Sequence, residues 1–449
     1  MIPVLKGRIG FAGFGISNYK LLQTLLKKSF GSDFFMSEKH SIDDDAKLFL
    51  REKGIEFEEN GHTSRLMECD SFVVSPGISP FFGIGKEIVD SGKPFTTELE
   101  VSLDILNMKP HGTVIGITGT NGKSTTVTML SHILSRRNKR VFQGGNLGEP
   151  LSGSLEDSYD FYVLEVSSFQ LKWFSEDTRR FHLSAIINLG EDHLDYHKTF
   201  EDYCGSKLRL IGMTEGFSVV PSSLSESYST HLSRPDNVVT FSMFEDGKFS
   251  FKDGLFRIGT KQLSTLILPY EGLHNYEDTL VVATISYLMG IPPEVVFEDL
   301  KSYSFLSHRL QLVREIGGVK YYDDSKATNA HAVSSALKSF VPEKTVLILG
   351  GKEKDESYRE LIEQLKRLKL VVVLGSSMKT LVSMLVASGI KFSKASSMEE
   401  AVRICADFSC GGDSVLLSPA GSSFDLYKNY AERGKHFRGI VDSLESITL

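Results

Sequence analysis

Residues 114 to 125, Val114-Ile115-Gly116-Ile117-Thr118-Gly119-Thr120-Asn121-Gly122-Lys123-Ser124-Thr125, restrict the fold more than any other stretch of the chain. An apolar run of β type, Val114 to Ile117, enters a glycine-punctuated turn. The turn ends in Gly-Lys-Ser-Thr and opens a helix-compatible segment from Val127 to Leu134. Strand, glycine turn and helix in that order make a phosphate cradle. The backbone N–H groups of the turn and the positive end of the helix face an anion. Lys123 adds a point charge, and the Ser124 or Thr125 hydroxyl can ligate Mg²⁺. A strict P-loop has glycine where Ile117 stands, so this is a variant of it. Gly-Lys-Ser also occurs by chance in surface turns; the strand before it and the helix after it favour the phosphate reading.

The rest of the chain has the same α/β texture, and 449 residues suffice for about three domains. Strand-like and helix-like runs alternate in three regions, the pattern of parallel sheets covered by helices. The first region, 1–110, has a strand at Arg8 to Phe14 that leads into Gly10, Gly13 and Gly15, then a helix carrying Leu21, Leu22, Leu25 and Leu26. A second strand, Ser71 to Val74, ends in Ser75-Pro76-Gly77-Ile78. Asn18 stands where a dinucleotide fingerprint starting at Gly13 needs its third glycine, so the glycines alone are as well explained by tight turns. The second region, 111–306, starts with the phosphate loop and continues through strands at Phe161–Val166 and Leu183–Leu189. Turns at Asp246-Gly247 and Asp253-Gly254 predict β-hairpins. The third region, 307–449, has strands at Thr345–Leu349, Leu370–Leu374 and Ser414–Leu417. The expected architecture is a Rossmann-like N-terminal domain, a central P-loop-type α/β domain and a smaller C-terminal Rossmann-like domain.

Composition excludes several functions. The formal net charge is −7 and no basic stripe offsets it, which argues against a nucleic-acid or membrane-surface binder. Cys69, Cys204, Cys405 and Cys410 lack CxxC spacing and read as reduced thiols, not a disulfide framework or zinc site. Lys6 and Arg8 interrupt the short apolar run at the start, which is no signal-peptide layout. No apolar run approaches the ~18 residues of a membrane span. A cytoplasmic protein is expected.

Several segments sit at strand ends, where open parallel sheets bind ligands. Gly144-Gly145-Asn146-Leu147-Gly148 allows close approach of a ligand to the backbone, though such a run is more often a plain turn. Glu165 ends a very apolar strand; it suits a Mg²⁺ ligand near the loop hydroxyl, and a salt-bridged or capping acid is the other reading. Glu191, Asp192, His193 and Asp195 share one turn, which suits a hard cation or a phosphate environment. His197 reads as a surface histidine. Lys207, from spacing alone, reads as an exposed helix lysine. Gly272-Leu273-His274-Asn275 precedes a helix at Thr279 to Met289 as a capping and base-contact loop. Arg309 could reach phosphate from a neighbouring region. Asp323-Asp324-Ser325-Lys326-Ala327-Thr328-Asn329 follows a short strand at Tyr321-Tyr322; an acid there could hold a ribose. Lys354, Ser423 and Phe424 lie at strand ends of the third sheet.

Taken together, these segments resemble the Mur ligases over the whole length and in motif order. The C-terminal run Leu417-Ser418-Pro419-Ala420, Asp425, Lys428-Asn429-Tyr430 and Arg433-Gly434 resembles the branch that adds D-glutamate. Sister enzymes that add a diamino acid carry Asp-Asn-Pro in the third domain, and residues 307–449 contain none. The resemblance implies an ATP-dependent ligase of peptidoglycan precursor synthesis that joins D-glutamate to UDP-N-acetylmuramoyl-L-alanine. It assigns 1–110 to the UDP substrate, 111–306 to ATP and 307–449 to the amino acid. Gly15, Ile16, Ser17, Ser37, Gly77 and Asn146 should line the UDP-substrate path; the family's usual Asp-Thr-Arg at the second strand end is Ser37-Glu38-Lys39 here. Gly119, Thr120, Asn121, Gly122, Lys123, Ser124, Thr125, Asn275, Arg309 and Asp324 should hold ATP, with Asp278 where the family has asparagine. Ser124 and Glu165 should hold a first Mg²⁺, and His193 and Lys207 a second, with Lys207 carbamylated. Lys326, Thr328, Lys354, Ser423 and Phe424 should receive D-glutamate. A monomer with no nucleic-acid or membrane partner is expected. A folylpolyglutamate synthase would share the loop and the central region, but the separate N-terminal region speaks against it. A nucleotide-binding module without catalysis would not need Glu165, His193 and Lys207 together, and a Rossmann dehydrogenase would leave the phosphate loop idle.

Overall fold

In the computed structural model the strands fall into three sheets, and the order of each explains why its glycine turns lie on one edge. The structure describes residues 5–29, 33–146, 148–175, 178, 180–227, 237–270, 272–304, 307–353, 358–423 and 425–444. By contacts these form two compact units. One comprises 1–189, 196–267 and 278–301, the other 190–195, 268–277 and 302–449.

The first unit contains two sheets. β1 (Ile9–Ala12), β2 (Phe34–Ser37), β3 (Glu56–Glu58), β4 (Ser71–Val74) and β5 (Phe95–Thr96) run parallel in the order β3-β2-β1-β4-β5. β1, β2 and β4 are buried along their whole length, as parallel strands covered on both faces must be. Leu21, Leu22 and Leu25 of helix Ile16–Lys27 cover one face, in the spacing that puts them on one side of the helix.

The second sheet holds β6 (Thr113–Thr118), β7 (Val141–Gly145), β8 (Phe161–Glu165), β9 (Leu183–Ile186), β10 (Ser218–Pro221), β11 (Val238–Met243), β12 (Phe249–Lys252), β13 (Leu255–Ile258) and β14 (Lys261–Ser264). Their order is β14-β13-β12-β11-β10-β9-β6-β8-β7. Strand order reverses around β6, and that reversal opens a crevice at its C-terminal end. One apolar core runs through both sheets, from Phe11, Leu22 and Met36 to Val114, Tyr162 and Leu164. The Asp253-Gly254 turn closes the expected hairpin between β12 and β13. The expected hairpin at Asp246-Gly247 is absent: β11 and β12 pair in parallel. Phe244, in the left-handed region at φ 78°, redirects the chain before Asp246, and its N–H bonds the Phe251 carbonyl.

The second unit is built on β15 (Gln311–Ile316), β16 (Val319–Asp323), β17 (Thr345–Gly350), β18 (Leu370–Leu374), β19 (Phe392–Ala395) and β20 (Ser414–Ala420), in the order β15-β16-β20-β17-β18-β19. Only β15 is antiparallel to its neighbour. The C-terminal ends of β16, β20 and β17 therefore lie side by side. Apolar clusters pack on both faces of this sheet, one around Leu347, Leu349 and Leu416, the other around Ile348, Val372 and Leu417.

Among the described residues no helix is long and apolar enough to cross a membrane. Helix Leu273–Leu288 begins earlier than the expected Thr279, so His274 and Asn275 lie in its first turn and not in a preceding loop.

Candidate active site

The phosphate loop leaves β6 at Thr118 and enters helix Lys123–Ser135, which begins four residues before the expected Val127. Gly122 makes this possible. It sits left-handed at φ 80° as the residue before the helix, and a Cβ there would come 2.0 Å from Asp278 Oδ1. Asp278 is buried and accepts from Thr126 Oγ1 at 3.2 Å. The loop is tied at its crown to Asn188. Thr120 N–H donates to the Asn188 carbonyl (3.0 Å) and Asn121 N–H to Asn188 Oδ1 (2.9 Å). Lys123 Nζ folds back on the Gly119 and Thr120 carbonyls, 2.8 Å from each.

Glu165 ends β8, the neighbour of β6, and both of its oxygens are engaged. Ser124 Oγ donates to Oε2 at 2.6 Å and Asn146 Nδ2 to Oε1 at 2.8 Å. Gly145, at φ 92°, lets the chain turn there; a Cβ would meet the Glu165 carbonyl oxygen at 2.5 Å. Asn146, expected on the UDP-substrate path, is thereby a direct partner of the carboxylate, a contact the sequence gives no sign of.

Ser124 and Glu165 offer hard oxygen donors side by side, the chemistry Mg²⁺ prefers. Among the described residues no group of three or more His, Cys, Asp and Glu side chains gathers as a metal cage. Mg²⁺ is usually held by one or two carboxylates plus phosphate oxygens and water.

Lys207 corrects its sequence reading as an exposed lysine. It lies on helix Phe200–Gly212 and is only 1% exposed. Its Nζ donates to the Gly119 carbonyl (2.8 Å) and sits 4.7 Å from the Tyr203 ring centroid. Tyr203 Oη in turn meets Thr120 Oγ1 at 2.9 Å. His197 is corrected too: it is no surface histidine. It is fully buried, with Nε2 3.0 Å from Ser168 Oγ and Nδ1 3.1 Å from Asp202 Oδ2, and burial lowers its pKa.

In the first sheet a cleft of about 610 Å³ opens at the ends of β1, β2 and β4, with Gly13, Glu38, Lys39, His62, Gly77 and Ser79 among its lining. Ser37 lies beneath it, its hydroxyl 2.6 Å from Glu58 Oε1 and 2.7 Å from His62 Nδ1. Gly15 and Ile16 are exposed and Ser17 half-buried at the start of the following helix. His62 and Ser79 carry no motif and escape sequence reasoning.

The second unit brings the remaining residues to two places. A cleft of about 770 Å³ is lined by Asn275, Arg309, Leu310, Lys320, Tyr322 and Phe340, among others. Beside it Asp324 accepts from Leu310 N–H (3.2 Å) and Ser418 Oγ (2.8 Å), and burial pushes its carboxyl up to about 7. Burial, with Arg309 nearby, pushes the His274 imidazole down to about 4. At the joined strand ends, Lys326 places its Nζ 4.1 Å over the Tyr430 ring, Thr328 is half-buried and Ser423 is buried. Lys354 and Phe424 lie outside the described residues. His193 also belongs to this unit. It adopts φ 57°, and its Nε2 is 3.4 Å from Asp192 Oδ2, an oxygen that also accepts from Asn329 Nδ2 (2.8 Å).

Three family descriptions match in order: the MurD N-terminal domain over residues 8–84, the Mur ligase middle domain over 117–281 and the Mur ligase glutamate ligase domain over 308–421. A UDP-N-acetylmuramoylalanine–D-glutamate ligase of Thermotoga sp. (strain RQ2) is 40% identical over 444 residues, covering 97% of this chain and 98% of the relative. The chain belongs to the Mur ligase family. It is thus an ATP-dependent ligase that works with Mg²⁺. The same kind of relative in Streptococcus agalactiae is 33% identical, over 89% of this Mur ligase and 88% of the relative. Two solved structures share its fold at low identity. The MurF ligase of Thermotoga maritima in complex with ADP has a TM-score of 0.58 and 19% identity, over 98% of this chain and 96% of the other. The UDP-N-acetylmuramate–alanine ligase of the same organism has a TM-score of 0.57 and 19% identity, over 98% and 100%. The middle-domain match spans the phosphate loop, Glu165, His193, Lys207 and Asn275 of this Mur ligase. The glutamate-ligase match spans Arg309, Asp324, Lys326 and Thr328.

Proposed function

We propose that this Mur ligase joins the amine of D-glutamate to the alanine carboxylate of UDP-N-acetylmuramoyl-L-alanine, converting ATP to ADP and phosphate. The observation that carries the reading is the Ser124–Glu165 oxygen pair beside the phosphate loop, at 2.6 Å, in a chain whose relatives of 33–40% identity are named for this reaction. Residues 1–110 take the UDP substrate, through Gly15, Ile16, Ser17, Ser37 and Gly77, and Asn146 of the central region joins them. Residues 111–306 take ATP on Gly119 to Thr125 and Asn275. Residues 307–449 contribute Arg309 and Asp324 to ATP, and Lys326, Thr328, Lys354, Ser423 and Phe424 to D-glutamate.

The alanine carboxylate attacks the γ-phosphorus in line, the bond to ADP breaks, and an acyl phosphate forms. Lys123 and the loop N–H groups orient the phosphates and offset their charge, which is most of what phosphoryl transfer asks of a protein. Ser124 and Glu165 would hold one Mg²⁺ and His193 and Lys207 a second, and the ions would supply further charge neutralisation. An ammonium repels a cation, so Lys207 would serve as its carbamate: its nitrogen gives up two protons to solvent and bonds to CO₂, which leaves an anionic oxygen ligand. The D-glutamate nitrogen then attacks the acyl carbon and phosphate leaves, giving the amide. The amine proton goes to a base other than His193, because a ring nitrogen committed to a metal has no lone pair to accept it. The ligase acts as a monomer in the cytoplasm.

The test is phosphate release from ATP with UDP-N-acetylmuramoyl-L-alanine and a panel of D- and L-amino acids. Release that requires both the nucleotide sugar and D-glutamate supports the assignment. Release with a different amino acid overturns the acceptor, and no release with any pair overturns the reaction.

A further inference from the structure

Arg433 stands in the first turn of helix Tyr430–Ser443 and is 1% exposed. A buried guanidinium is destabilising unless its donors are met. Here backbone and hydroxyl oxygens meet one donor on each of its three nitrogens. Nε donates to Ser325 Oγ (2.9 Å), Nη2 to the Ser325 carbonyl (2.8 Å) and Nη1 to the Gly421 carbonyl (3.1 Å). None of its hydrogen bonds among the described residues is to a carboxylate, but the charges of Asp425, Asp323 and Asp324 reach it and favour its cationic form. Burial pushes the guanidinium down to about 10, so it stays charged at neutral pH.

The three oxygens belong to two loops. Ser325 starts the loop after β16 that carries Lys326 and Thr328; its N–H bonds Asp323 Oδ1 (3.0 Å) and its hydroxyl the Tyr430 carbonyl (2.8 Å). Gly421 starts the loop after β20 that carries Ser423. It has no lateral play: a Cβ there would meet the Gly350 carbonyl oxygen at 2.8 Å and that of Lys352 at 3.0 Å. The end of β20 also touches the first loop directly, Ala420 N–H donating to the Ala327 carbonyl at 3.0 Å. Apolar packing would stabilise such a junction as well or better. What a guanidinium adds is a rigid planar fork that fixes the angle and separation of its acceptors.

We propose that Arg433 is a positioning residue for the acceptor amino acid, setting the spacing between the loop of Lys326 and Thr328 and the loop of Ser423. The proposal rests on the ligase reading above, which gives those loops the acceptor. An ammonium in place of the fork keeps the charge and loses the spacing, so the acceptor step suffers and the ATP step does not.

The experiment is steady-state kinetics on the full chain, varying D-glutamate and ATP separately, for the unsubstituted protein, Arg433→Lys and Ser325→Ala. Arg433→Lys should raise the KM for D-glutamate by about tenfold, one lost charge-assisted bond's worth, while the KM for ATP stays within about twofold. Ser325→Ala removes one of the three contacts and should raise the KM for D-glutamate by about threefold. Equal increases in both KM values, or no change in that for D-glutamate, would overturn the positioning role. Should Arg433→Lys fail to fold, Ser325→Ala decides by the same criterion. Absence of D-glutamate-dependent turnover in the unsubstituted protein would overturn the ligase reading itself, and this proposal with it.

Discussion

Lys123 and Lys207 donate to the same atom: each ammonium lies 2.8 Å from the Gly119 carbonyl oxygen. One lysine belongs to the phosphate loop, the other to helix Phe200–Gly212. Two like charges meet at one oxygen, and turning one of them into an anion would replace their mutual repulsion by attraction.

Lys207→Ala should therefore lower turnover by about a hundredfold or more, as loss of one preorganised charged group does. Acetate or propionate should restore part of it by placing a carboxylate where the carbamate would be. The same anions should not rescue Lys123→Ala, which loses a cation. Activity of Lys207→Ala with and without the anions measures this; loss without rescue would point to the plain ammonium as the working form.

Glu165→Gln keeps the shape of the side chain and removes its charge. Gln can still meet Ser124 and Asn146, so the thermal midpoint should change little. The Mg²⁺ concentration for half-maximal phosphate release should rise by about tenfold or more, because a carboxylate is replaced by a neutral donor at a divalent cation. A Mg²⁺ titration of the variant checks this. An unchanged requirement would remove Glu165 from the metal site.

Gly145→Ala should be destabilising by about 2–3 kcal/mol, combining a left-handed backbone with a collision against backbone. The added Cβ would lie 2.5 Å from the Glu165 carbonyl oxygen, so β7 has to part from β8 there. Asn146 moves with it and loses its hold on Glu165. Denaturant unfolding gives the stability change. A shift under about 0.5 kcal/mol, the size of an ordinary surface substitution, would mean the strands give way at little cost.

Asp324 predicts a pH signature. Burial raises its carboxyl from the ordinary 3.8 to about 7. Between those values the folded protein keeps a proton that the unfolded chain has released. Stability is therefore lost as pH rises through that window and is steady above it. Asp324→Asn has no proton to lose. The stability of the variant relative to the parent should grow from about pH 4 to about pH 7 and then level off. Unfolding curves at several pH values test this, and a pH-independent difference would show Asp324 titrating normally.

Much of the fold was legible because parallel sheets write themselves as short apolar runs ending in glycine turns. Strands at Ser71–Val74 and Leu370–Leu374 begin and end where the sequence puts them. The Gly119–Thr125 loop was legible for the same local reason: a strand, a left-handed glycine and a helix start are neighbours in sequence. Lys207 was not. Helical spacing says which residues share a face, but not what covers that face, and its partner Gly119 lies 88 residues away. His197 failed likewise, because the Ser168 and Asp202 that bury it come from other elements. The Asp246-Gly247 turn misled because turn chemistry fixes a reversal of the chain and not the direction in which the next strand pairs.

By itself the sequence determined the α/β class, the phosphate loop and the order of the motifs, since each is a local pattern of hydrophobicity, glycine and charge. Only the tertiary structure decided which motifs meet. It brought Asn146 and Ser124 to the two oxygens of Glu165, set two lysines on one carbonyl and locked two loops with a buried arginine. Those meetings depend on strand order, and strand order is settled by which apolar faces bury each other, a sum over the whole core that no single segment contains.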